Sequence, residues 1–388
     1  MTANVTSISK VRAAARSRAE LLRANNRTAT ALLVLVVVLV VIGLGATQSA
    51  SSAVAVEETG ERLYFFKRQL IGVGIGTLAL LITSRIPYGF YRKLAIPAFL
   101  GTVALLIAVL AVGNEANGAT RWLELPVIGL FQPSELAKVS VVFALAYLLE
   151  KKAKLLNRFG HFIVPVIATV GIVAFLVIKQ PDLGTLIIIA AAAIAVIVAS
   201  DTPMRFVVVL VFVAILAATF LAFSEGYRAA RIEGFLDPFA DPQGDGYQVV
   251  QGYYALGNGG LFGVGLGASR ARWFYLPNAH TDFIFAIIGE ETGLVGGLTI
   301  IGLFIALGVI GWMVASRAPD PFGRMLAAGI TVWLSFQALV NVGGVLGVLP
   351  ITGIALPFVS FGSTALIVSM AALGILVNIA QNGVQPDS

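Results

Sequence analysis

The chain has 388 residues, 58% hydrophobic and only 12% charged, with a mean hydropathy of +0.92. A soluble domain carries about 45–50% apolar and about 25% charged residues, so this chain cannot clothe a water-soluble globule of its length and reads as an integral membrane protein. The formal charge of +6 is scattered between apolar runs, which fits membrane orientation and not nucleic acid, while zero cysteines and two histidines exclude disulfides, thiolate chemistry and a multi-histidine metal centre.

A crossing takes about 20 mostly apolar helical residues. Ten runs qualify: 29–47, 65–83, 94–112, 135–150, 161–178, 183–199, 205–223, 282–314, 322–347 and 355–381. The prediction is an all-α polytopic membrane protein of about ten transmembrane helices. It divides into a basic tail (1–28), one membrane domain (29–381) and a short C-terminal tail (382–388). Within the spans apolar residues run on without alternating, so strands are not expected there. The head before the first run is too long for a typical signal peptide, and that run is expected to stay as an uncleaved span.

The tail and the alternate loops on its side carry sixteen Lys and Arg, whereas the short loops opposite carry five, counting Lys67 and Arg68 at the mouth of span two. Positive charge accumulates on the cytoplasmic side. Both termini are therefore expected in the cytoplasm, and the large loop 224–281, between spans seven and eight, outside it. That loop holds Arg228, Arg231 and Arg272, is rich in Tyr, Phe and Gly, and is expected to be folded. No clear internal repeat is visible.

Taken in chain order, the first polar cluster is Arg121-Trp122, at the outer interface, as an aromatic anchor or a binder of an anionic head group. Gln132-Pro-Ser-Glu135-Leu-Ala-Lys138 opens span four, with Pro133 in its first turn and Glu135 and Lys138 at i,i+3 ion-pair spacing. Lys179-Gln-Pro-Asp182 makes a tight outer turn between spans five and six. His161 is read as merely interfacial. The glycines from 257 to 267 match part of a dinucleotide fingerprint, but without a βαβ unit they read as places where backbone lies close to helices.

The densest constellation is Leu276-Pro-Asn-Ala-His280-Thr-Asp282, followed by Glu290 and Glu291. Asp282 is either a plain cap of span eight or a base held at the membrane surface. Glu290 and Glu291 lie about 12 Å deeper on other faces of the helix, so the three carboxylates do not form one cluster. Acids at that depth need a cavity or a cationic partner, and Lys138 is the partner suggested for Glu291.

These motifs together resemble the SEDS family, the FtsW and RodA proteins. The resemblance rests on Gly246-Tyr-Gln248-Val-Val-Gln251, the glycine stretch, the His280-Thr-Asp282-Phe-Ile-Phe run and Gly347-Val-Leu-Pro350. It rests also on Leu356-Pro-Phe-Val-Ser-Phe-Gly362, Gln132 to Glu135 and Gln180 to Gly184. It runs from the first span to the last and leans toward the FtsW branch. Asn278, Thr352 and Ala365 depart from residues common in the family.

The resemblance implies a peptidoglycan glycosyltransferase of the bacterial cytoplasmic membrane. Such an enzyme polymerises lipid II into β-1,4 glycan on the outer face, beside a class B penicillin-binding protein and other divisome or elongasome components. It maps the family's essential aspartate onto Asp282 and its outer motifs onto Arg121, Trp122, Lys179 and Asp182. Gln248, Gln251 and His280 lie within the matched motifs and are candidate substrate contacts. Arg228, Arg231 and Arg272 are added for their charge on the same face.

An α-linked pyrophosphate donor and a β-linked product imply inversion by a single displacement, which needs a base and positive charge for the leaving group. Asp282 is the candidate base. It is equally a candidate ligand for a divalent cation, magnesium or manganese, shared with the pyrophosphate. Two other readings are a lipid II flippase using Glu135, Lys138, Glu290 and Glu291, and a scaffold that recruits the penicillin-binding partner. The glycines at 293, 296 and 297 are the expected face for that partner's helix.

Overall fold

The computed structural model describes residues 2–116, 119–125, 129–224, 226–273 and 275–382; side chains at 2–23, 114–116, 119, 125 and 227–229 lie outside the description. Each expected span has a helical counterpart. The first seven are α1 (Thr2–Thr59), α2 (Tyr64–Arg85), α3 (Phe90–Val112), α4 (Pro133–Lys151), the pair α5 (Phe159–Val166) and α6 (Ile172–Ile178), α7 (Leu183–Ala199) and α8 (Met204–Phe223). The last three are α11 (Ile284–Ser316), α12 (Pro321–Val345) and α13 (Ser363–Gln381). Helices α5 and α6 form one crossing interrupted by a π turn at Ile167–Gly171. Among the described residues, eight crossings are long and apolar enough to span a membrane by length and composition alone; α4 carries the Glu135–Lys138 pair, and α7 has only 17 residues.

Apolar sequence makes these helices, and their neighbours decide how they are covered. Helices α12 and α13 are mostly buried and form the centre of the bundle, whereas α8 exposes most of its surface. Small residues permit the close approaches: a Cβ on Gly76 of α2 would lie 2.6 Å from Met370 Sδ, and one on Gly329 of α12 would lie 2.7 Å from Val196 of α7. Gly72 and Gly76, one turn apart on α2, both pack against α13.

The structure adds to the expectation in four places. Helix α1 continues unbroken through residue 28. A small antiparallel sheet, β1 (Asn114–Ala116), β2 (Ala119–Leu125) and β3 (Gly129–Phe131), stands between α3 and α4. The large loop between α8 and α11 contains α9 (Gly226–Leu236) and α10 (Tyr247–Gly259). The last span begins at Ser363 and not at 355, because 351–362 is an irregular segment bounded by glycines at positive φ, Gly353 (+71°) and Gly362 (+156°). Hydropathy alone cannot tell that apolar loop from helix.

Helix α11 is broken at Gly293, whose φ of 67° and ψ of −164° are not helical. The glycine turn after α10 fills the break. Leu294 N–H donates to the Gly260 carbonyl (2.9 Å) and Val295 N–H to that of Leu261 (3.3 Å), while Val264 and Gly265 N–H donate to the carbonyls of Glu290 and Glu291. A Cβ at Gly263 would lie 2.1 Å from the Glu291 carbonyl oxygen, so these glycines do let backbone lie against a helix. Gly293 is thereby covered by the chain's own loop and is not part of an open face.

Candidate active site

Asp282 ends a tight turn just before α11. The turn is set by Asn278, whose φ of 53° suits asparagine better than most side chains; its carbonyl accepts from Thr281 N (3.0 Å) and Oγ1 (3.1 Å) and from Phe283 N (3.4 Å). The N-cap of α11 is Phe283 and no side chain caps it. The cap reading of Asp282 is therefore corrected: the turn places Phe283 at the cap, and the carboxylate is left for other work. Thr281 Oγ1 lies 3.1 Å from Asp282 Oδ1.

Burial raises the Asp282 pKa to about 6, against the opposing pull of its own backbone N–H, the Thr281 hydroxyl and the Arg231 charge. Arg231, on α9, approaches across Gly353. A Cβ on that glycine would lie 3.8 Å from Arg231 Nη1 and 3.9 Å from Asp282 Oδ2. A carboxylate and a guanidinium thus approach one another over a residue with no side chain. The pocket beside them, lined also by Asn341, Gly344 and Thr352, has room for about one water-sized group.

The turn is fixed from behind by residues that the sequence reading did not single out. Asn341 Nδ2 of α12 donates to the Asp282 and Ile354 carbonyls, both at 2.7 Å. Ser360 Oγ donates to the Thr281 carbonyl and accepts from Leu356 N (2.8 Å). Gln69 of α2 holds Ser360 and Gly362 through their main chain. Gln337 Nε2 donates to the Ala355 carbonyl (2.8 Å), while its Oε1 accepts from Lys138 Nζ (2.9 Å) and Trp333 Nε1 (2.9 Å). The visible signal for these residues was polarity within apolar spans, at Gln69, Gln337 and Asn341.

Lys138 is fully buried and pairs with Glu135 Oε1 at 2.7 Å, as the i,i+3 spacing predicts. It does not meet Glu291, which accepts instead from Ser49 Oγ of α1. Glu290 accepts from Ser269 Oγ and from the main-chain N–H of Arg270 (3.3 Å) and Ala271 (3.2 Å). The expected cavity or cation for these acids is replaced by hydroxyl and amide donors from distant segments. Arg272 reaches the same place, with Nη1 3.4 Å from Ser49 Oγ and its guanidinium 5.4 Å from the Trp273 ring centre.

The turn before α7 forms a second group. Asp182 caps α7, accepting from Thr185 N (3.1 Å), and also accepts from Gln132 Nε2 (3.1 Å) and Ser134 Oγ (3.3 Å). Arg121 Nε donates to the Gln180 carbonyl (2.8 Å) and Nη2 to that of Pro181, with Trp122 stacked 6.0 Å away. Arg121 and Asp182 thus fasten the turn, while Lys179 is exposed beside Phe175. A Cβ on Gly184 would meet the Thr352 carbonyl at 2.8 Å, so this turn and the Asp282 turn are separated by the 352–354 segment.

His280 lies between Phe65 (4.9 Å) and Phe361 (5.6 Å), and burial lowers its pKa to about 4, so the imidazole is neutral at physiological pH. Gln248 Nε2 donates to the Pro277 carbonyl (3.3 Å), and Gln251 is half-buried one turn further along α10. The Arg228 side chain lies outside the described residues. No group of three or more His, Asp or Glu able to hold an ion occurs among the described residues. A divalent cation at Asp282 would therefore take most of its ligands from water or a bound molecule, the usual habit of magnesium.

The model of the FtsW, RodA and SpoVE family, described as cell cycle protein, matches residues 29–385. The chain is 41% identical over 334 residues to a probable peptidoglycan glycosyltransferase FtsW of Geobacter metallireducens, covering 86% of this chain and 89% of that one. It is 37% identical over 335 residues to stage V sporulation protein E of Bacillus subtilis, covering 86% and 91%. Among solved structures it is similar to a chain of a peptidoglycan synthase complex that coordinates polymerization and crosslinking, with TM-score 0.73, 29% identity and coverage of 90% and 97%. It is also similar to the rod shape determining protein RodA of Thermus thermophilus, with TM-score 0.68, 27% identity and coverage of 91% and 97%.

Proposed function

The chain belongs to the FtsW, RodA and SpoVE family, and from that membership we propose that it is a peptidoglycan glycosyltransferase that joins lipid II units on the outer face of the bacterial cytoplasmic membrane. The observation that carries the reading is the Asp282 carboxylate: not spent on a cap, on a turn whose main-chain carbonyl is held by Asn341, with a raised pKa and the Arg231 guanidinium beside it.

In the proposed step the acceptor sugar's 4-hydroxyl attacks the anomeric carbon of the donor. The new C–O bond forms as the bond to pyrophosphate breaks, and the lipid pyrophosphate leaves with the bonding electrons. The hydroxyl proton passes to Asp282, for which a pKa near the operating pH is an advantage. Arg231 and the more distant Arg272 stabilise the charge gathering on the pyrophosphate. If a divalent cation is bound, Asp282 and the pyrophosphate hold it, and it supplies further positive charge to the leaving group.

The partner in this reading is a class B penicillin-binding protein, by analogy with the synthase complex. Septal synthesis in division is preferred to elongation, because relatives at 41% and 40% identity bear the FtsW name. A flippase fits less well: among the described residues the buried charges Glu135, Lys138, Glu290 and Glu291 are engaged in separate contacts and do not line one path.

The test is polymerisation of lipid II by the purified chain with its class B partner, read as glycan length on a gel. Wild type should give long strands and Asp282→Asn none, with folding and partner binding matched. A folded, partner-bound wild type that makes no polymer, where a known polymerase does, would overturn the reading.

A further inference from the structure

Between Asp245 and Arg270 the chain has 24 consecutive residues, 246–269, without a single Asp, Glu, Lys, Arg or His, although they belong to a loop outside the spans. The charged residues of that loop lie on either side of the stretch. Within it the turn that follows α10 turns its apolar side chains outward: Leu266 is 83% exposed, Phe262 80% and Leu261 63%. Four large apolar residues, counting half-exposed Val264, in six positions of a water-facing turn would be an unusual cost to solubility.

The height of that turn is fixed by its backbone. It is bonded to α11 from Glu290 to Val295, and Glu291 is joined through Ser49 to α1. Two independent rulers give the level of this contact. Glu291 is 26 residues from Arg317, the cation at the inner end of α11, and Ser49 is 22 residues above Arg27. At about 1.5 Å per residue these are about 39 and about 33 Å, against a hydrocarbon thickness of about 30 Å. The rulers put the Ser49–Glu291 contact about 3 to 9 Å beyond the hydrocarbon, at head-group level, and the bonds of Leu294 and Val295 to the turn up to about 6 Å further in, at the hydrocarbon boundary.

We propose that the glycine turn 260–267 is a wedge seated in the outer leaflet, with Leu261, Phe262, Val264 and Leu266 in contact with acyl chains at their junction with the head groups. The glycines serve this by letting the turn lie flush on α11, and the N–H groups exposed by the Gly293 break are bonded by the turn's own carbonyls, as backbone at that depth requires. Half-exposed Tyr254 and Trp273 flank the wedge at interfacial level, where aromatic side chains with a polar end are favoured. The occupant is lipid and not water. A partner's transmembrane helix would present a different signature in the measurement below.

The absence of cysteine makes the measurement clean. Single cysteines at Phe262 and, separately, Leu266 are spin-labelled in the full chain in lipid nanodiscs without a partner. Accessibility to oxygen, which concentrates in acyl chains, is compared with accessibility to a water-soluble nickel complex. Leu298, exposed on α11, serves as the lipid reference and Gln243, in the acidic part of the loop, as the aqueous reference. Both test sites should match the Leu298 ratio and exceed the Gln243 ratio by roughly tenfold. A ratio at both sites equal to that of Gln243 would overturn the proposal, as would protection from both relaxants, which would mean that protein covers the turn. Neither outcome depends on the chemistry assigned to Asp282.

Discussion

Asn341 donates both hydrogens of one side-chain amide to main-chain carbonyls, that of Asp282 and that of Ile354, each at 2.7 Å. The turn that carries the carboxylate and the irregular segment that carries Gly353 are therefore positioned by a single buried group on α12. Asn341→Leu leaves two carbonyls without donors, and an unmade buried hydrogen bond costs about 1–3 kcal/mol. The variant is expected to melt several degrees lower and to polymerise at least about tenfold more slowly, since small misplacements of a base are costly in rate. Thermal melting and glycan yield, measured on the same preparation, check both.

The raised pKa of Asp282 fixes the sign of two pH effects. A base must be unprotonated, so polymerisation should fall with a midpoint near pH 6 as the solution is acidified. His280 is already neutral there, so His280→Gln should leave that midpoint in place even if it lowers the rate. For stability, the folded state binds the Asp282 proton more tightly than the unfolded chain does. This contribution makes stability fall as pH rises from about 4 to about 6. Asp282→Asn should remove that slope and melt higher than wild type at neutral pH, with the difference vanishing at about pH 4.

Arg231 opposes the rise of the Asp282 pKa. Arg231→Gln should therefore move the acid limb of the pH–rate profile to higher pH, beyond any loss of substrate affinity. A rate profile at saturating lipid II separates the two: a lower plateau with an unmoved midpoint would mean that Arg231 acts on the substrate alone.

The Glu135–Lys138 pair is remote from Asp282 but connected to it by Gln337 and the Ala355 carbonyl. Lys138→Met leaves a buried carboxylate alone, which costs about 3–5 kcal/mol. Changing Glu135 to Gln in the same chain should restore most of the stability, because the unpaired charge and not the missing pair is the main penalty. A double-mutant cycle of melting temperatures tests this, and strong non-additivity is the expected result.

The spans were legible because a crossing needs about 20 apolar residues and little else. The Glu135–Lys138 pair was legible from its i,i+3 spacing, whereas spacing left Asp282 open between a cap and a base, and only the fold puts Phe283 at the cap. Legibility ended where contacts join residues far apart in the chain. Nothing in the sequence near Glu290 or Glu291 announces Ser269 or Ser49, and a carboxylate in a helix looks the same whether a lysine or a serine awaits it. The run 355–362 is as apolar as a helix, yet its conformation is set by side chains of α2 and α12 that bond its backbone. Arg121 and Asp182 read as surface charges for a ligand, and their bonds to the turn before α7 emerge only in three dimensions.

Helix α1 runs without a break from Thr2 to Thr59, a rod of about 87 Å at 1.5 Å per residue. Its N-terminal end stands in the basic segment and its C-terminal part carries Ser49, the acceptor of Arg272 and the donor to Glu291. Both ends therefore share one helical phase. Inserting one residue between Arg27 and Ser49 would turn one end relative to the other by about 100°, while inserting seven would turn it by only about 20°. Sequence changes in the middle of this span thus act on the two faces of the membrane through angle and not through length alone.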